Sequence, residues 1–320
     1  MRSLKMAGLD FEKPISELEK KIQELKNFVS DKKIDLASEV RRLEDKLEQL
    51  KKTTYSSLTA WQRVQIARHP NRPYTLDYIN MLMSDFVELH GDRAFADDKA
   101  MISGFAKLDE QKLVVIGHQK GRDTKENLKR NFGCAHPEGY RKALRIMQLA
   151  EDFSLPLIIF IDTPGAYPGI GAEERGQSQA IALNLREMIH IAVPILAIVI
   201  GEGGSGGALG VGVADRICVL ENAYYSVISP EGCAAILWKD GAKAPEAAQV
   251  LKLTAQDLLK LGIIDEIVPE PLGGAHRDPQ KMAATMREVI NKNFRELKAL
   301  DNEELLRLRY KKFRSIGVVA

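Results

Sequence analysis

Cysteine is scarce in this chain: three residues in 320, Cys134, Cys218 and Cys233, widely spaced and without a C-x-x-C pair. That excludes a disulfide framework and a zinc ribbon. Cys218, inside the apolar run Ile217-Cys218-Val219-Leu220, reads as a small core hydrophobe. The six histidines are scattered without an i, i+4 metal pair, so no metal is expected in this chain. Long apolar runs are also missing. None approaches the roughly 20 residues that span a bilayer, and Met1 to Lys13 lack the apolar core of a signal peptide. The expected location is the cytoplasm, away from membranes. Nor does one charge prevail: 46 Lys and Arg stand against 44 Asp and Glu, which gives no argument for a nucleic-acid partner.

What the chain does have is glycine in one place, Ile200-Gly201-Glu202-Gly203-Gly204-Ser205-Gly206-Gly207-Ala208-Leu209. The segment follows an apolar strand-like run, Pro194 to Ile200, and precedes small residues compatible with a helix. A strand, a glycine turn and a helix start gather free backbone N–H groups at one point, which suits a negative charge. Three chemistries use that device. As G-x-G-x-x-G the match is Gly201, Gly203 and Gly206, with Glu221 twenty residues on for a ribose hydroxyl, as in NAD-binding folds. As G-x-S-x-G it is Gly203, Ser205 and Gly207, a nucleophile elbow, with His276 downstream and Asp215, Asp240 or Asp265 between. In the third, the amides of Gly203–Gly204 or Gly206–Gly207 stabilise an oxyanion formed on a bound substrate, and no side chain is needed.

A second strand, Leu157 to Ile161, runs into another turn, Asp162-Thr163-Pro164-Gly165-Ala166-Tyr167-Pro168-Gly169-Ile170-Gly171, followed by a helix expected from about Glu173 to His190. A dinucleotide fold carries its phosphate turn once, and an elbow hydrolase needs one Ser turn. Two successive turns fit better with amides converging on one oxyanion.

Three regions are expected: a helical arm over 1–60, an α/β body over 61–270 and a helical segment over 271–320. In the arm Ile15, Ile22, Val29, Leu36, Leu43 and Leu50 recur every seven residues, and a shift of the second seam position at Ser30-Asp31-Lys32-Lys33 marks a turn between two helices. The arm serves a partner or packs on its own body. His69-Pro70-Asn71-Arg72-Pro73 reads as a linker. Strands are expected at Lys112–Gly117, Leu157–Ile161, Ile195–Ile200, Ile217–Leu220 and Tyr225–Ile228, forming a largely parallel sheet. Asp278-Pro279 and Asp301 with Glu304 open two C-terminal helices. Lys120, Arg122, Lys125, Lys129 and Arg130 form a basic stretch, either a solvated surface or a grip on the phosphates of a nucleotide-tailed cofactor.

Longer strings carry a resemblance. His118 to Lys125 (HQKGRDTK), Pro137 to Leu144 (PEGYRKAL), Phe160 to Gln177, Gly201 to Leu209 and Tyr225 to Trp238 (YSVISPEGCAAILW) resemble the alpha subunit of the acetyl-CoA carboxylase carboxyltransferases of bacteria and plastids. The resemblance implies an α/β fold of the crotonase-like (ClpP/crotonase) type, with repeated strand–strand–helix (ββα) units. It implies transfer of the carboxyl group of carboxybiotin, borne by a separate biotin carboxyl carrier protein, to acetyl-CoA, giving malonyl-CoA, the first committed step of fatty acid synthesis. A zinc-ribbon-bearing beta subunit in an α2β2 heterotetramer and an ATP-binding biotin carboxylase are the implied partners. Charge would develop on the ureido oxygen of biotin and on the thioester oxygen, so two sets of fixed donors are needed. The ureido anion can take the methyl proton itself. The donors expected in this chain are the amides of Gly203, Gly204, Gly206 and Gly207. Gly165, Ala166, Tyr167 and Glu202 are expected to wall the substrate, and Ser205 to be structural, capping the helix after it. Leu4-Lys5-Met6 is not the M-K-M of a biotinylation site.

Overall fold

The computed structural model describes residues 9–32 and 36–317. Its centre is an eight-stranded sheet. The strands are β1 (Ser84–Glu88), β2 (Met101–Leu108), β3 (Gln111–His118), β4 (Leu157–Thr163), β5 (Ile195–Gly204), β6 (Arg216–Leu220), β7 (Tyr224–Ser226) and β8 (Glu266–Val268). The order is β1-β2-β3-β4-β5-β6-β8, with β7 paired to the far end of β5 beyond the reach of β6. β1, β2 and β3 are antiparallel, and from β3 onward neighbours are parallel. Every residue of β4 and β5 is buried. That is why both read as unbroken apolar runs and not as an alternation.

β5 runs four residues past the expected end at Ile200. Opposite Asp162 of β4 it carries Ile200, Gly201 and Glu202, since Ile161 faces Val199 and Thr163 faces Gly203. This bulge lets the strand continue through glycines that the sequence suggests would end it. At Gly201 a side chain would lie 2.5 Å from Asp162 Oδ1. β1, β2 and β8 were not expected. β1 is a short polar edge strand, and β8 has three residues. Neither length nor pattern separates such pieces from loop.

Three further expectations change. The helix of Glu173–His190 is two, Ile170–Glu174 and Gln177–Met188, broken at Gly176 with φ +79°. The linker at 69–73 is a turn that exposes Pro70 and Asn71 and is anchored to the body by buried His69, Arg72 and Pro73. Arg72, 1% exposed, donates through Nε to the Ile200 carbonyl (2.6 Å) and through Nη1 and Nη2 to both Glu270 oxygens (2.8 and 2.6 Å). In the arm, the helices are Lys13–Lys32 and Ala37–Ser56. The first stays helical through Ser30–Lys32, and Lys33 lies outside the described residues.

The arm is a hairpin clasped by Lys51–Glu19 (2.9 Å) and Lys26–Glu44 (2.6 Å). Its base packs on the body. Ile15 and Tyr55 cluster with Ile66, Tyr55 Oη donates to Glu12 (2.6 Å) and Arg277 pairs with Glu12 (3.2 Å). Both C-terminal helices, Pro279–Lys298 and Asn302–Arg314, carry the expected caps. Asp278 accepts from the Lys281 N–H and Asp301 from the Glu304 N–H. Glu304 turns to Arg307 (2.6 Å) instead of back to the cap. From the last helix Arg309, fully buried, reaches under the sheet. It donates to both oxygens of Asp215 (2.8 Å each) and to the carbonyls of Met188, Ile191 and Val193 (2.8, 2.6 and 2.9 Å).

Candidate active site

The C-terminal ends of β4 and β5 lie side by side, and each runs into its glycine turn. Gly203 and Gly204 still belong to the sheet: Gly203 pairs with Thr163 and Tyr225, Gly204 with Ser226. The helix Ser205–Leu209 follows at once. Gly206 and Gly207 stand in its first turn, where N–H groups have no intrahelical acceptor. The two turns touch backbone to backbone. A Cβ on Gly204 would lie 2.2 Å from the Pro164 oxygen, and one on Gly207 2.4 Å from Gly165 C and 2.5 Å from Ala166 N. Only glycine permits that approach. At Gly206 a Cβ would meet nothing closer than Ile181 Cδ1 at 3.6 Å.

The turns are held from outside. Tyr140 Oη donates to the Gly207 carbonyl (3.2 Å), Asn184 Nδ2 donates to the carbonyls of Gly210 and Tyr140 (2.9 and 3.0 Å), and the Thr163 hydroxyl donates to the Gly165 carbonyl (2.7 Å). Tyr167 is pinned beside them. Its ring stacks on His136 at 4.1 Å, and its carbonyl accepts from Gln177 Nε2 (3.0 Å). Beneath, His118 is fully buried. Burial, then the Lys120 charge, pushes its imidazole down to about 3, so it is neutral.

Ser205 is not a cap. The cap position is Gly204, no side chain caps this helix, and Ser205 itself is exposed with φ +50°. The rest of a hydrolase triad is scattered. His276 stacks on His69 at 3.9 Å; Asp215 is held by Arg309, Asp265 pairs with Lys312, and Asp240 accepts from the Ala242 N–H. Glu221, the acid of the NAD reading, accepts from the Glu270 N–H at 3.2 Å, within the body.

Behind the turns lies a charge network that sequence reasoning missed. Lys120 Nζ donates to Asp162 Oδ1 (2.6 Å) and Glu202 Oε2 (2.8 Å). The other Glu202 oxygen accepts from Arg68 Nε (2.7 Å) and Tyr224 Oη (2.6 Å), and the Glu202 N–H donates to Asp162 Oδ1 (2.9 Å). Arg68 also pairs with Glu231. Burial acts to raise the Glu202 carboxyl; the Lys120 and Arg68 charges overcome it and hold it down to about 2. Burial acts to lower the Lys120 ammonium, and Asp162 and Glu202 raise it above its ordinary value. Lys120 is thus committed internally. Of the other basic residues of that stretch, Arg122 pairs with Asp77 and stacks over Tyr74 (3.9 Å), Arg130 pairs with Glu126, and Lys125 and Lys129 face solvent. The stretch is therefore not a phosphate grip built around Lys120. A cavity of about 440 Å³ opens beside the network, with Arg68, Tyr74, Lys120, Phe132, Pro164 and Glu202 in its wall. Among the described residues, no three His, Cys, Asp or Glu are grouped to hold a metal ion, and no helix is long and apolar enough to cross a membrane.

Known structures share this architecture. Transcarboxylase 12S superposes with a TM-score of 0.54 at 20% identity over 68% of this chain and 41% of that one. The beta subunit of P. aeruginosa geranyl-CoA carboxylase gives 0.54 at 17% over 74% and 45%. The fold is the crotonase-like fold of acyl-CoA carboxyltransferases. Sequence narrows this further. The protein named acetyl-coenzyme A carboxylase carboxyl transferase subunit alpha in Geobacter metallireducens is 58% identical over 309 residues, 97% of each chain, and that of Thermus thermophilus is 57% identical over 312 residues, 98% of this chain and 99% of the other. The chain belongs to the acetyl co-enzyme A carboxylase carboxyltransferase-like family, whose model matches residues 8–317.

Proposed function

We propose that this chain is the alpha subunit of an acetyl-CoA carboxylase carboxyltransferase. It moves the carboxyl group of carboxybiotin, presented on a biotin carrier protein, to acetyl-CoA, giving malonyl-CoA, and it acts in the cytoplasm together with a beta subunit in an α2β2 assembly and with a biotin carboxylase. The observation that carries the reading is the pair of first-turn amides at Gly206 and Gly207, with Gly207 pressed against the Gly165–Ala166 turn. These amides are the donors that hold the developing oxyanion. They are favoured over Gly203 and Gly204 because the latter stand within the sheet ladder. Gly165, Ala166 and Tyr167 wall the same spot, while Glu202 supports it from behind.

The carboxylates and the ammonium nearest the turns are all tied in ion pairs, so none is free to serve as a general base. Proton removal from the acetyl methyl group then falls to the ureido nitrogen freed when the carboxyl departs: the N–CO₂ bond breaks, the methyl proton moves to that nitrogen, and the carbanion closes on the carboxyl carbon. The chain's own part is to fix the amide donors and to exclude water. The test is acetyl-CoA release from malonyl-CoA and free biotin, with this chain alone and with a carboxyltransferase beta subunit. Activity only in the mixture is expected. Activity of the chain alone, or none in a mixture shown to form a complex, overturns the reading.

A further inference from the structure

One segment beside the cavity departs from ordinary backbone. Asn131, Phe132 and Gly133 are consecutively left-handed, with φ +48°, +55° and +82°. Such conformations are costly for residues with side chains and persist where surrounding structure enforces them, often at ligand clamps. The enforcement is visible here. A Cβ on Gly133 would lie 2.9 Å from Lys120 Cγ and 3.1 Å from the main-chain oxygen of Asp162, so the loop sits on the Lys120 stem and the end of β4. Asn131 is tied to His136 (Nδ2 to Nδ1, 2.9 Å), whose ring stacks on Tyr167 of the first glycine turn.

The result is that Phe132 stands in the cavity wall with 52% of its surface exposed. Tyr74, also in that wall, is buried and has Arg122 over its ring. Phe132 is thus the aromatic that a ligand meets. The cations of the wall do not ask for a phosphate: Arg68 is matched by Glu202 and Glu231, Lys120 by Asp162 and Glu202, and Arg122 by Asp77. An apolar plate over a charge-balanced floor takes an uncharged planar ring.

We propose that Phe132 is a binding residue for the ureido ring of biotin, held in place by the left-handed Asn131–Gly133 turn. The inference rests on the carboxyltransferase reading. It is tested in the complex with the beta subunit by measuring acetyl-CoA release from malonyl-CoA and free biotin, varying each substrate. Phe132→Ala is expected to raise KM for biotin roughly five- to tenfold, the size of one lost ring contact, with KM for malonyl-CoA within about twofold of wild type. Phe132→Tyr is expected to restore the biotin KM. Phe153→Ala, at an exposed position (63%) on the helix end, should move neither constant. Unchanged biotin KM, or both KM values rising together with a fall in Tm, overturns the proposal; should Phe132→Ala not fold, Phe132→Leu is read by the same criteria. A wild-type complex that releases no acetyl-CoA removes the carboxyltransferase reading itself, and this inference with it.

Discussion

Replacing Lys120 by Met removes the cation that joins β4 to β5 behind the glycine turns. The Lys120 side chain is 12% exposed, that of Asp162 2% and that of Glu202 8%, so this is an interior pair and not a surface salt bridge. Glu202 keeps Arg68 and Tyr224, but Asp162 keeps only the Glu202 N–H on the oxygen that Lys120 had shared. Breaking a buried pair by removing one partner costs about 3–5 kcal/mol. For a chain of this length that corresponds to a Tm fall of roughly 4–8 °C. The stranded carboxylate then explains most of the loss, so the double variant Lys120→Met/Asp162→Asn should recover a part of it, about 1–3 kcal/mol in a double-mutant cycle. Thermal melts of the four proteins measure this directly. A single variant that melts within a degree or so of wild type, or a double variant no better than the single, refutes the argument that Lys120 is a structural counter-ion.

Three other outcomes follow from the same geometry. Glu202 has a folded pKa near 2 against an ordinary 4.5, so its stabilisation is fully present above about pH 4.5 and is lost as pH falls toward 2. Denaturant melts should therefore show the stability gap between wild type and Glu202→Gln narrowing from about pH 5 to pH 3; a constant gap contradicts it. Ser205→Ala should lower carboxyl transfer in the complex less than about tenfold, whereas a loss of roughly three orders of magnitude would make its hydroxyl a nucleophile. Gly207→Ala pushes a methyl into the Gly165–Ala166 backbone and should cost about a hundredfold or more in turnover together with Tm, while Gly206→Ala, with Ile181 at 3.6 Å, should melt like wild type; equal melting of the two would show that the turns can part.

The parts of the fold that could be read from sequence were those whose residues face one environment throughout. β4 and β5 are buried along their whole length, and their composition says so. The caps at Asp278 and Asp301 are local hydrogen bonds, and local spacing reveals them. What could not be read depends on contacts far apart in the chain. Arg72 lies between two prolines in a stretch that looks like a linker, and nothing nearby reveals that its partner Glu270 is 198 positions away. Lys120 sits among cations that do face solvent, so its burial was masked by its neighbours. The glycine turns were legible as turns, but that Gly203 and Gly204 stand in the sheet while Gly206 and Gly207 stand in the first turn of a helix required the sheet register. Phe132 gave no signal at all, since its position depends on a backbone conformation that no residue type there announces.

Arg309 has a consequence for how the chain reaches its folded state. The last strand of the sheet is complete at Val268, so a growing polypeptide holds all eight strands before the helix Asn302–Arg314 is made. Until the final helix arrives, however, Asp215 and the carbonyls of Met188, Ile191 and Val193 have no donor from Arg309. A sheet made before that helix therefore lacks the donor that ties together the segments leading into β5 and β6. Closure is set by Arg309, so the loops that lead into β5 and β6 are locked together by a helix made after every strand of the sheet.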